Sequence, residues 1–136
     1  MTEVSPQSEV TCKGGCHCGS VYYRARLPDP IRAFRCNCSI CSQTGFIHVF
    51  VQQAHFELLE GHDELVEYQF HTRTARHLFC GRCGVKSFYV PRSHPEAFSL
   101  NLNCIELPAE IEVITGEFDG RNWSANISRL RSERDD

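Results

Sequence analysis

Apolar and polar residues alternate along most of this chain, which is the spacing of half-buried strands rather than of helices. Residues 21–26 (VYYRAR) read as a short strand entered from the turn residues Gly19 and Ser20. In 46–51 (FIHVFV), Phe46, His48 and Phe50 fall on one face and Ile47, Val49 and Val51 on the other. Residues 65–71 (LVEYQFH) set Val66, Tyr68 and Phe70 between polar neighbours, and 86–90, 98–102 and 110–114 continue in the same style. Gly61, Gly84, Pro91, Pro95, Pro108 and the pair Asp119 and Gly120 punctuate these runs. Only 39–45 reads as a helical turn, with Ser39 as its cap. The pattern predicts an all-β, or strongly β-rich, fold.

With 136 residues the chain has room for one domain, expected over 12–128. Residues 1–11 form a polar stretch expected to be a disordered N-terminal tail, and 129–136 (RLRSERDD) a charged C-terminal tail. Fourteen Lys and Arg against 17 Asp and Glu leave a formal charge of -3. No basic field exists to condense on phosphate, so neither nucleic acid nor an anionic membrane is an expected partner. No apolar run is long enough to span a bilayer. The first ten residues lack the basic and apolar regions of a secretory signal, and the expected location is cytoplasmic.

Nine cysteines change the picture. The number is odd, and disulfides rarely persist in a reducing compartment, so clustered cysteines here point to metal ligands. Cys80 and Cys83, followed by Gly84, have the shape of a zinc knuckle: a tight turn aims both sulfurs at one ion, and glycine takes the positive φ just past the second sulfur. A tetrahedral zinc needs two more thiolates. Cys16 and Cys18, also flanked by glycines, are the natural pair for a closed structural site. The competing readings are a redox pair or two disulfides. The redox pair is disfavoured because it belongs at a strand-to-helix junction in a βαβ chain.

Cys36, Cys38 and Cys41 place three sulfurs within one turn's reach. Three protein ligands and an open position are the arrangement of a catalytic zinc. A trithiolate zinc is electron-rich and a weak Lewis acid, which suits thiol or carbonyl substrates better than hydrolysis. Cys12, Cys104 or a histidine would close the site if it supplied a fourth ligand. His48, on the strand after Cys41, is the candidate proton shuttle or metal-proximal residue, against the ordinary reading of a packed strand histidine. His77 is a second candidate near Cys80, while His17 between two ligands should face solvent. Arg92 with Ser93 could clamp a carboxylate, Trp123 could cap a small core, and Asp119 with Gly120 is read as a turn.

The segments GGCHCGSV (14–21), CNCSICSQTG (36–45), LVEYQF (65–70), HLFCGRCGVKSFYVPRSHP (77–95), NLNC (101–104) and FDGRNW (118–123) together resemble the glutathione-dependent formaldehyde-activating (GFA) family, which also contains centromere protein V. The resemblance covers most of the chain in the family's order. It implies a zinc-pinned β-tent of two small antiparallel sheets and two zinc ions per chain. Cys16, Cys18, Cys80 and Cys83 match the structural ligands, and Cys36, Cys38 and Cys41 the catalytic ones. The implied activity is that of a carbon–sulfur lyase acting on a thiol–aldehyde adduct such as S-hydroxymethylglutathione, with glutathione and formaldehyde as its parts. The rival reading is a non-catalytic binding module in which both metals are structural.

Overall fold

A computed structural model of the chain describes residues 8–122, 124 and 127. Trp123 and the charged tail over 129–136 lie outside the described residues. The strands form three groups. In the first sheet, β1 (Glu9–Gly15) pairs with β2 (Tyr22–Pro28) and β10 (Ile105–Glu106), and β5 (Phe56–Glu60) adds to β2, all antiparallel. The second sheet runs in the order β11 (Val113–Phe118), β3 (Ile31–Cys36), β4 (Ile47–Gln52), β9 (Ala97–Asn101) and β8 (Phe88–Tyr89). A separate ribbon pairs β6 (Leu65–Tyr68) with β7 (His77–Cys80). Helix α1 (Ser39–Thr44) is a short stretch whose N-cap is Cys38 rather than Ser39 and which Gly45 ends in the left-handed conformation.

The strand-rich fold with small antiparallel sheets is the one expected, with three differences of detail. Two sheets are joined by a third element, the β6–β7 ribbon. One pair is parallel: β11 lies beside β3 in the same direction, from Val113 opposite Ile31 to Phe118 opposite Cys36. Residues 9–11, expected in a disordered tail, belong to β1, where Val10 and Cys12 face inward opposite Leu27 and Ala25.

The core forms where the first two sheets face each other. Tyr23, Ala25 and Leu27 from β2 meet Ile31 and Ala33 from β3, Val49 and Val51 from β4, and Leu100 from β9, all buried. Each large aliphatic side chain here contributes on the order of 1.5–3 kcal/mol by leaving water. Tyr23 packs on Phe56 and Phe88 at ring-centre distances of 5.3 and 5.8 Å. Because side chains alternate along β4, its other face carries His48 and Phe50 away from this core, and the Phe34 ring of β3 covers both. The second sheet therefore has two occupied faces. No helix among the described residues is long and apolar enough to cross a membrane.

Candidate functional site

The fold gathers seven cysteines into two groups. Cys16 follows β1, and Cys18 precedes Gly19 at φ 83°; Cys80 ends β7, and Cys83 precedes Gly84 at φ 79°. In both half-sites the residue after the second sulfur takes the left-handed conformation that glycine adopts without strain. The sulfurs of Cys16 and Cys18 are 3.6 Å apart and those of Cys18 and Cys80 are 3.7 Å apart. A tetrahedron built on ~2.3 Å metal–sulfur bonds has edges of ~3.8 Å, so this donor set fits one ion. The backbone N–H groups of Val21 and Arg82 donate to Cys16 Sγ and Cys80 Sγ at 3.2 and 3.3 Å, the support a thiolate ligand needs. The Ser20 hydroxyl, 3.3 Å from Cys18 Sγ, leads the effects that hold that thiol down to about 6. The four ligand atoms lie within 4.8 Å of one another, and none of the nine cysteines is in a disulfide. The first sheet is thereby tied to the β6–β7 ribbon, with which it shares no strand pairing.

Cys36 ends β3, Cys38 caps α1, and Cys41 lies inside α1, and their sulfurs are also within 4.8 Å of one another. Short-range sharing sets their ionisation. The Cys36 and Cys41 sulfurs hold Cys38 far below the thiol range, while Cys38 pushes Cys36 up to about 11, and Cys36 and Cys38 together push Cys41 well above its usual value. Cys38 is thus the thiolate of the group, and Cys36 and Cys41 are held protonated beside it. A cation in place of the remaining protons lets all three ionise, which is the coupling expected of a metal-binding donor set. Neither Cys12, buried in the core, nor Cys104 joins either group among the described residues.

The parallel pairing of β11 with β3 delivers a second loop onto the sulfurs. Since Phe118 lies opposite Cys36, the chain beyond β11 runs across the turn that follows β3. The Asp119 carboxylate accepts from Asn37 Nδ2 at 3.0 Å. Arg121 returns two bonds to Asn37, its backbone N–H to Oδ1 at 3.0 Å and its Nε–H to the carbonyl oxygen at 2.8 Å. Gly120 packs against the Cys36 sulfur so closely that a β-carbon there would overlap it. Asp119 and Gly120 are therefore more than a turn: they clasp the cysteine loop.

The three sulfurs lie on the wall of a cavity of about 300 Å³. Its sides are aromatic, with Phe34, Phe50, Phe70, Tyr89 and Phe118, and Arg92, Ser93 and Arg121 also border it. His48 is 2% exposed. Its Nε2 lies 3.2 Å from Cys41 Sγ, and its Nδ1 lies 3.0 Å from the Ser99 hydroxyl and 3.3 Å from that of Tyr89. Burial, with the nearby Lys86 charge, pushes its ring down to about 3. His77 does not serve the four-cysteine group near it in sequence. In strand β7 it points the other way from Cys80 and borders this cavity, stacked between Phe70 and Tyr89 at 5.3 and 5.0 Å. His17 is exposed, as expected.

Lys86 was not singled out by the sequence, yet it is 8% exposed and central to this region. Its ammonium donates to His77 Nδ1 at 2.7 Å and sits 4.0 Å from the centre of the Tyr89 ring. Burial lowers it to about 8, and burial followed by the Lys86 charge lowers His77 to about 4. A lysine inside the run VKSFYV was the available signal, because a charge in a buried strand needs a partner. Asn37, Ser99 and Arg121 carried no comparable signal; their roles come from pairings across more than 50 residues of chain.

The family profile described as "Glutathione-dependent formaldehyde-activating enzyme" matches residues 11–118. A Halomonas elongata protein bearing the same family designation is 33% identical over 79 residues, 52% of this chain and 50% of its own length. The chain thus spans about half the length of that curated relative. A crystal structure of a Rhodobacter sphaeroides protein superposes with a TM-score of 0.67 at 34% identity, covering 76% of this chain and 98% of that one. The profile takes in both cysteine groups and the strands that present them, and the chain belongs to the glutathione-dependent formaldehyde-activating enzyme family.

Proposed function

We propose that this protein is a zinc-dependent carbon–sulfur lyase of the GFA type, acting on a thiol–carbonyl adduct such as S-hydroxymethylglutathione. In this reading Cys16, Cys18, Cys80 and Cys83 hold a structural zinc, and Cys36, Cys38 and Cys41 hold a second zinc at the site of chemistry. The observation that carries it is the position of the three-sulfur group: it lines a cavity, and no fourth Cys, His, Asp or Glu ligand atom among the described residues lies within 4.8 Å of all three sulfurs. A zinc ion bound there would supply a weak Lewis acid able to take a substrate sulfur or polarise a carbonyl oxygen.

The chain's own groups do the rest. The aromatic walls exclude water from the adduct. Arg92 and Arg121 offer guanidinium groups at the cavity to the carboxylates of an anionic thiol. His77 accepts from the Lys86 ammonium at Nδ1, which puts its ring N–H on Nε2 as a donor for the oxygen or the departing sulfur of the adduct. In the cleavage direction the adduct's hydroxyl loses its proton to solvent, the C=O bond forms, and the carbon–sulfur electron pair leaves with the sulfur as thiolate. Addition reverses each move.

Exchange NMR on formaldehyde and glutathione with and without the zinc-loaded protein tests the assignment. Faster interconversion of the hemithioacetal, lost in Cys38→Ser with the fold intact, is expected; an uncatalysed rate with two ions bound refutes the glutathione reaction.

A further inference from the structure

We infer that His48 is neither a ligand nor a proton shuttle but the positioning residue of the three-cysteine site, donating Nε2–H to Cys41 Sγ so that this buried sulfur binds metal as a thiolate. The inference rests on the zinc reading above and assigns a role to one side chain within it.

Cys41 is the most deeply buried of the three sulfurs' residues, at 4% exposure, where a thiolate is hardest to maintain. The other two sulfurs take hydrogen bonds from the backbone, Cys36 from the N–H of Cys38 and Cys38 from the N–H of Cys41. Cys41 takes its own from an imidazole, 3.2 Å away. The direction of that bond follows from the far side of the ring. Two hydroxyls, Ser99 at 3.0 Å and Tyr89 at 3.3 Å, converge on Nδ1; a hydroxyl that donates to it puts the neutral ring's N–H on Nε2, the tautomer this inference assigns. Rotation is blocked: His48 stacks on Phe34 at 4.8 Å and 13° and packs on Phe46 at 4.7 Å. Ser99 is fully buried and pairs across β4–β9 at the neighbouring register, so its hydroxyl is fixed by the sheet itself. Nε2 reaches Cys41 without coming within 4.8 Å of all three sulfurs, which places it behind the ligand rather than among the ligands.

The test compares wild type with His48→Phe, which keeps an aromatic ring in the stack, and His48→Gln, whose amide N–H can replace Nε2–H. Zinc is titrated against a chromophoric chelator, with the four-cysteine site as the internal standard. The second ion should bind about 10- to 100-fold more weakly in His48→Phe, with most of the loss recovered in His48→Gln and the first ion unaffected. With cobalt in place of zinc, the ligand-field bands of the second ion should keep their positions in His48→Phe, because the ligand set is unchanged. Second-ion affinity in His48→Phe equal to wild type, or displaced cobalt bands that mark His48 as a ligand, overturns the inference and leaves the zinc reading standing. A wild-type protein that takes up only one ion overturns both. If His48→Phe fails to retain the first ion, Ser99→Ala decides: it leaves the ring in place, and roughly threefold or greater weakening of the second site is expected, with no change counting against the inference.

Discussion

Gly120→Ala is the smallest change that should disable one metal site and spare the other. The new methyl group would overlap Cys36 Sγ and come within 3.1 Å of Cys38 Cβ. Both neighbours are constrained: Cys36 is the last residue of β3, paired with Phe118, and Cys38 caps α1. Neither is the free end of a long side chain, so relief must come from moving a strand end or lifting the 118–122 loop. Lifting the loop breaks the Arg121 and Asp119 bonds to Asn37. Overpacking of a fitted region costs about 1–3 kcal/mol, and if that appears at the metal it corresponds to roughly 5- to 150-fold weaker binding. The backbone gain of alanine over glycine, about 0.4–1 kcal/mol, offsets only part of this. Chelator competition should show a weakened second ion beside an unchanged first one, and Cys36 should become more reactive toward a thiol reagent. Two ions bound at wild-type affinity would refute the claim that this loop clasps the sulfurs.

Breaking the four-cysteine group should act on the fold rather than on one site: Cys83→Ser, or a strong chelator, is expected to lower the melting temperature sharply, because that group joins the first sheet to the β6–β7 ribbon, with which it shares no strand pairing. A variant that melts with the wild type would show the tie to be dispensable. The buried His77 ring, held near 4, takes up its proton after the unfolded chain does at about 6.5, so the unfolded state binds more protons in between. This contribution to stability is complete above about 6.5 and is lost as pH falls toward 4. Urea unfolding of wild type and His77→Phe at pH 7 and pH 5, in equal zinc, should therefore show the steeper acid loss in wild type, and equal slopes would remove His77 from the account. Removing the Arg92 guanidinium with Arg92→Met should raise KM roughly tenfold for an anionic thiol and leave it unchanged for 2-mercaptoethanol; parallel changes for both thiols would mean that the effect is on the cavity wall and not on carboxylate recognition.

What the sequence disclosed, and what it withheld, follows from the range of each interaction. The three cysteine clusters are legible because metal ligands packed into one turn must be close in sequence, and the glycines after Cys18 and Cys83 are legible because positive φ is a local demand. The two-faced strand 46–51 is equally local, and its split into His48 and Phe50 against Val49 and Val51 is the one observed. Strand β3 escaped notice because Ile31 and Ala33 point into the core while Phe34 and Cys36 serve the opposite face, so neither face stands out as apolar. Strand β1 escaped for a related reason, with Cys12 as its only fully buried side chain of any size and glycines at its end. The parallel partnership of β3 and β11 has no local signature at all, since it joins segments about 80 residues apart through side-chain packing and backbone pairing alone.

That unreadable pairing is what turns three nearby sulfurs into a defined site. A parallel pair ends both strands at the same edge of the sheet, so the loops after β3 and β11 must meet there. One loop contributes the ligands and the other contributes Gly120, which leaves room for a sulfur, and Asp119 and Arg121, which hold Asn37 between two ligands. An antiparallel β11 would send its following loop to the far edge and leave Cys36 and Cys38 uncovered. The Cys41 side is closed independently, by His48 and Ser99 from the antiparallel β4–β9 pair. Two unrelated pairings thus buttress the same three sulfurs from opposite sides, and a perturbation of either should be felt at the second metal while the four-cysteine group, built on different strands, stays intact.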